Sequence, residues 1–167
     1  MFRKVMCLIF LMLATSGCGD VPEGQVTIRL LRTLPADGIL TSLTVPIADV
    51  SLQPAGIERD AGGYIPLVQR QPAYAIVDGA PIVIGAGSAP SGAYERIFVE
   101  VAGLMLEGTG SRGESISVEN HVEPIAVFFD VVPGEHRVID LELIILKDFG
   151  GEAPSYTLFC KDVSVIR

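Results

Sequence analysis

Tryptophan is absent from this chain, histidine occurs twice and cysteine three times. Each scarcity excludes something. With no tryptophan and four tyrosines, the aromatic platforms on which sugars stack are few. Cys7 lies in an apolar N-terminal stretch and would leave with it if that stretch is a leader, and if Cys18 is modified Cys160 has no intramolecular partner. No disulfide framework follows, and one cysteine with two histidines is too small a set for a zinc site. Cys160 alone reads as a small buried hydrophobe. Basic side chains are outnumbered, 12 against 20 acidic ones, for a net charge of −8. Nucleic-acid binding needs cations that displace counterions from phosphates, so no nucleic acid is expected as a partner.

Catalytic motifs are missing as well. There is no G-x-S-x-G, since Gly85–Ala89 reads GAGSA, and serine chemistry would also need a histidine and a carboxylate at hand. The stretch GAGSAPSG lacks the spacing of a dinucleotide fingerprint, and no D-x-D-x-D-G calcium loop occurs. No cofactor, no resident metal and no enzymatic activity are expected.

What is present begins with the leader. Arg3 and Lys4 give a positive start, and Val5–Ala14 (VMCLIFLMLA) is an unbroken apolar run. That run is too short for a spanning helix, which needs about 20 residues. Thr15, Ser16 and Gly17 then place small residues immediately before Cys18. A small-residue site ending in cysteine resembles the lipobox of bacterial lipoproteins. That resemblance implies a signal peptide over residues 1–17, cleavage before Cys18, and attachment of diacylglycerol and a further acyl chain (palmitate-type) to that cysteine. Gly19 rather than aspartate follows it, which by the sorting rule of such lipoproteins favours the outer membrane over the inner. The leader carries two basic and no acidic side chains, so the mature chain has a net charge near −10.

The remaining 150 residues suffice for one domain that buries roughly 70% of its unfolded surface. Residues 18–24 read as a short tether and 25–167 as a single domain. Gln25–Arg32 alternates Val26, Ile28 and Leu30 against Thr27 and Arg29, the period of a half-buried strand. Leu43, Val45 and Ile47 alternate next, and then the phase slips to Val50 and Leu52. Pro46 and the Ala48-Asp49 step mark a bulge or a break there. Glu58–Gly63 predicts a turn, and Tyr64–Val68 the second arm of a hairpin. Short strands are expected at Ala73–Val77 and Pro81–Ile84, and a loop at Gly85–Gly92. Tyr94–Leu106 reads as one strand, Gly108–Glu114 as a turn, and Ser115–Val118 as a strand. A further strand carries Ile125, Val127 and Phe129 up to a hairpin corner at Val132–Glu135. Ile139, Leu141, Leu143 and Ile145 then share one face of a strand, and Tyr156–Ile166 closes the chain. Seven to nine short strands without helical periodicity predict an all-β fold, a single two-sheet sandwich.

Two groups of polar residues invite a chemical reading. Glu119, His121 and Glu123 would share one face of an extended segment, and two carboxylates with an imidazole suit a divalent cation. An exposed polar loop before a strand is the plainer reading. Asp140 and Glu142 share a strand face next to Arg137 and Lys147. An acid–base pair would need further groups across a cleft, and outward charges that discourage edge pairing are the plainer explanation. Tyr64, Tyr74, Tyr94 and Tyr156 sit at strand starts or turns, where a half-buried ring with a hydrogen-bonded hydroxyl is expected.

The order of features is itself informative: VTIRLL, VSLQPAGIE, YIPL, the turn and strand PSGAYERIFVEV, a Pro-Gly corner, IDLEL, and a closing DVSVIR. It resembles the domain of unknown function DUF4382, over about residues 25–167. The resemblance implies a transthyretin-like or carboxypeptidase-regulatory-like β-sandwich in a lipoprotein of the envelope, and it brings no catalytic residues. The expected function is a membrane-anchored, non-catalytic domain that binds or organises an envelope protein or glycan. The alternative is a carbohydrate- or calcium-binding module of the cell surface, motivated by the acidic excess.

Overall fold

The computed structural model describes residues 21–33, 38–57, 63–77, 81–148 and 155–167. The leader and Cys18 lie outside them. Among the described residues there are eleven strands and no helix: β1 (Glu23–Thr33), β2 (Leu40–Pro54), β3 (Ile65–Pro66), β4 (Ala73–Ile76), β5 (Ile82–Pro90), β6 (Gly92–Val101), β7 (Met105–Gly110), β8 (Ser115–Asn120), β9 (Ile125–Val131), β10 (His136–Asp148) and β11 (Ser155–Ile166). The fold is all-β, as the alternation predicts.

The strands form one continuous mixed sheet in the order β5-β1-β10-β11-β8-β7-β2-β6-β9, with β3 and β4 also on β2. The sheet folds over at β2. Its first half pairs with β7 and β4, and its second half with β6 and β3. A larger wing therefore faces a smaller one, and β9 touches both β1 and β11 across the interior. The phase slip in the sequence marks this fold-over, because the β2–β6 register jumps between Ile47 and Asp49. Pro46 sits at the handover between the two partners, where its missing N–H costs no ladder bond. Its carbonyl accepts from Ala102 N at 2.8 Å.

One hydrophobic core fills the space between the wings. Val26, Ile28, Leu30, Ile139, Leu141 and Leu143 enter from the larger wing, and Leu52, Ile97, Ile125 and Phe129 from the smaller one. The central strands β1 and β10 run parallel, with Ile28 opposite Ile139 and Leu30 opposite Leu141.

Several local expectations change. Gly85–Pro90 is strand, not loop: β5 continues to Pro90 along β1. Small residues serve close packing here, because a Cβ on Gly85 would lie 2.9 Å from Val50 Cγ1. Tyr94–Leu106 is two strands, broken at Gly103, whose φ of +90° few other residues adopt. Gly108 and Gly110 belong to β7, so the turn after them is confined to Ser111–Gly113 and its neighbours. Val132–Glu135 is no hairpin corner: β9 pairs with β6 while β10 pairs with β1 and β11, so the chain crosses between wings there. The first strand starts at Glu23, so Glu23 and Gly24 are strand rather than part of the expected tether.

Candidate functional site

The parallel pairing of β8 with β11 determines what can meet. It covers Tyr156–Leu158 opposite Val118–Asn120 and ends where His121 N donates to Leu158 O at 3.0 Å. Beyond that point the two chains diverge, His121–Pro124 crossing to the smaller wing while β11 continues. The divergence leaves an open groove of about 610 Å³. His121, Glu123 and Ile125–Val127 line one side, and Phe159–Val163 the other. A bulge at Lys161 in β11, visible as a register jump opposite Glu142 and Leu143, shapes that second side.

The predicted trio is only partly assembled. His121 Nε2 lies 2.9 Å from Glu119 Oε1, both side chains being about half exposed, and the imidazole rests against Phe159 at 5.6 Å between ring centroids. Glu123 lines the groove separately. Among the described residues no group of three His, Cys, Asp or Glu side chains is close enough to hold a metal ion.

Cys160 shares the groove with His121, a proximity the sequence conceals behind 38 intervening residues. The thiol is free and partly buried rather than fully enclosed. Its Sγ faces Asp162 O at 3.7 Å. Burial pushes the thiol up to about 11, with the carboxylates of Asp162 and Glu142 adding to the shift. This is the reverse of an activated nucleophile, which needs a lowered pKa. Alkylation at pH 8 should proceed about a hundredfold more slowly than for an unperturbed cysteine, in proportion to the thiolate fraction. Iodoacetamide labelling followed by mass tests this, and a rate equal to that of a short cysteine peptide would contradict it. The folded state holds the proton that the unfolded state loses first. The stabilisation is therefore complete below about pH 9 and declines as pH rises toward 11.

Asp140 and Glu142 occupy a different setting from the one expected. Their strand, β10, lies between β1 and β11, so edge protection is not their role. Arg29, directly opposite Asp140 on β1, grips its carboxylate with two bonds, Nε to Oδ1 at 2.6 Å and Nη2 to Oδ2 at 2.7 Å. The Asp140 side chain is 6% exposed and that of Arg29 31%. The hydrogen bonds that Arg29 donates to Asp140 raise its guanidinium further above its already high ordinary value. The guanidinium therefore stays charged, and its contribution is lost only in strong alkali. Glu142 accepts from Lys161 Nζ at 3.0 Å. Arg137 is not a neighbour of this pair: it has the inward parity of β10, donates to Asp130 O and pairs with Glu135. Lys147 has that same parity and lies over the ring of Tyr156.

Asp140→Ala should lower stability by about 2 kcal/mol. A buried pair losing one member costs more, but Arg29 retains water on one side. Urea denaturation measures it, and a change under about 0.5 kcal/mol would show that the bidentate pair contributes no more than an ordinary surface site.

His136 is elsewhere, 2.9 Å from Thr27 Oγ1. Tyr64 is half-buried as expected, whereas Tyr74, Tyr94 and Tyr156 are buried outright. Tyr94 donates to Pro90 O at 2.8 Å and stacks on Phe129, and Tyr74 donates to Ile84 O at 3.2 Å. Burial raises the Tyr94 phenol above its usual 10. Tyr156 is buried with its hydroxyl unpaired. Of the groove's charged groups, His121 pairs with Glu119 and Lys161 with Glu142, partners that lie outside its lining, and burial holds the thiol protonated.

No family model, no curated protein and no solved structure matches the chain. The resemblance to DUF4382 rests on the residues quoted for it alone.

Proposed function

We propose that this protein is a lipid-anchored component of the bacterial cell envelope, with a non-catalytic β-sandwich domain that binds or organises another envelope component, a protein or a glycan. The observation that carries this reading is the leader: a positive start, ten apolar residues, three small ones and then Cys18. Each buried CH₂ contributes about 0.8 kcal/mol, so one acyl chain holds marginally while two or three hold stably. Support for a non-catalytic domain comes from the pairing of Arg29 with Asp140, Lys161 with Glu142 and His121 with Glu119, and from the raised Cys160 thiol. The outer membrane is the proposed location, because Gly19 follows the cysteine.

Intact mass of the membrane-extracted full-length protein, beside Cys18→Ala, tests the anchor. The expected mass is residues 18–167 plus two or three acyl chains, with the variant unprocessed and unacylated. A mature chain without acyl mass would overturn the reading.

A further inference from the structure

The first described residues are clamped to one end of the sandwich. Ser91 N donates to Pro22 O at 2.7 Å, Gly134 N to Glu23 O at 3.0 Å, and Gln25 N to Glu135 O at 2.8 Å. The chain is thus held from Pro22 onward by the two corners where it crosses between wings, Ser91–Gly92 and Val132–Glu135. The C-terminus reaches the same end, since Ile166 pairs with Val138 near the start of β10. Only three residues lie between Cys18 and Pro22, four Cα steps that span at most about 14 Å when fully extended. From this end β1 and β10 both run away in parallel, and the 13 residues of β10 carry the far end roughly 40 Å further.

Resting on the lipoprotein reading, we propose that the domain stands end-on at the lipid surface. The Ser91 and Val132–Glu135 corners and the C-terminus lie against the headgroups, and the Gly38 and Ser111–Gly113 turns point away. The partner surface is the membrane that holds the anchor. Two features oppose a domain lying on its side. The outer face of the larger wing carries Glu119, Glu142 and Asp162, with Lys161 offsetting one of them, and that of the smaller wing sets Asp49 opposite Glu100, so an anionic lipid surface repels both within a Debye length. The anchored end instead exposes apolar side chains, Val21, Val165 and Ile166, at 60%, 38% and 43%, and its carboxylates Asp130 and Glu135 are matched by His136, Arg137 and Arg167 beside them, Glu135 in an ion pair with Arg137. The orientation leaves the side groove and the far turns free for the envelope partner.

The absence of tryptophan makes the test direct. Full-length Arg167→Trp and Ser111→Trp proteins, one reporter at each end, are reconstituted in phosphatidylethanolamine/phosphatidylglycerol vesicles that contain dansyl-labelled headgroups. Intact mass is taken on the same preparations. Energy transfer should be strong from position 167, and about a tenth as strong from position 111, given the roughly 40 Å between them. Ten Gly/Ser residues inserted between Asp20 and Val21 should lower the signal at 167. Equal transfer from both positions in acylated protein, or no effect of the insertion, would overturn the orientation and leave the anchor standing. A mass without acyl chains would remove both.

Discussion

Replacing Leu141 with alanine should lower the unfolding free energy by about 4 kcal/mol, the largest single effect expected in this domain. Leu141 is fully buried. It lies mid-way along β10, with Leu30 of β1 opposite on one side and Val163 of β11 on the other. Truncation removes three carbons from the core and leaves a hole, and the cost depends on how far the surroundings can close it. Here they cannot close far, because both neighbouring strands are locked by their own ladders. Urea unfolding should show a lower midpoint with an unchanged slope. Leu146→Ala supplies the contrast: the same strand and residue type, but outward and 52% exposed, for a change within about 0.5 kcal/mol. Similar small losses from both would mean that the two faces of β10 are wrongly assigned.

Gly24→Ala should cost about 3 kcal/mol, although it adds a single methyl group. Its backbone is extended and needs no unusual dihedral. The constraint is space: a Cβ there would sit 2.5 Å from Val132 O, 2.8 Å from Val131 Cγ1 and 3.2 Å from Glu135 O. Two of those three atoms are backbone in the corner between β9 and β10, and Glu135 O also accepts from Gln25 N. Relief would require β1 to move away from the corner, breaking the bonds that clamp the start of the domain. Thermal unfolding of the alanine variant measures the loss, and a stability equal to that of the parent would show that the corner can yield.

Much of the fold was legible because a two-residue period is a local signal. Val26, Ile28 and Leu30 point inward as their spacing predicts, as do Ile139, Leu141, Leu143 and Ile145. Even the fold-over of β2 left a trace, the slip at Ala48-Asp49. Composition misled where it was read as conformation. GAGSAP looks like loop, yet these residues form a strand because they pair with β1, and Gly85 fits there because a Cβ would meet Val50. The Gly-rich run after Leu106 was likewise divided wrongly between strand and turn.

The candidate site was less legible. Glu119 and His121 are close in sequence, and an extended chain brings them together as expected. The salt bridge of Arg29 with Asp140 spans 111 residues, and the meeting of His121 with Cys160 depends on β8 pairing with β11. Neither leaves a mark in local periodicity.

The division between the two kinds of information follows from range. The sequence by itself determined the acidic character, the all-β class and which residues of most strands face inward. These depend on composition or on neighbours one or two residues away. Only the tertiary structure decided the strand order, the two parallel pairings, the crossings between wings, and the fate of each polar group. Strand partners are chosen by the fit of whole faces and by backbone bonds between distant segments. A carboxylate such as Asp140 therefore acquires its meaning only when Arg29 arrives beside it.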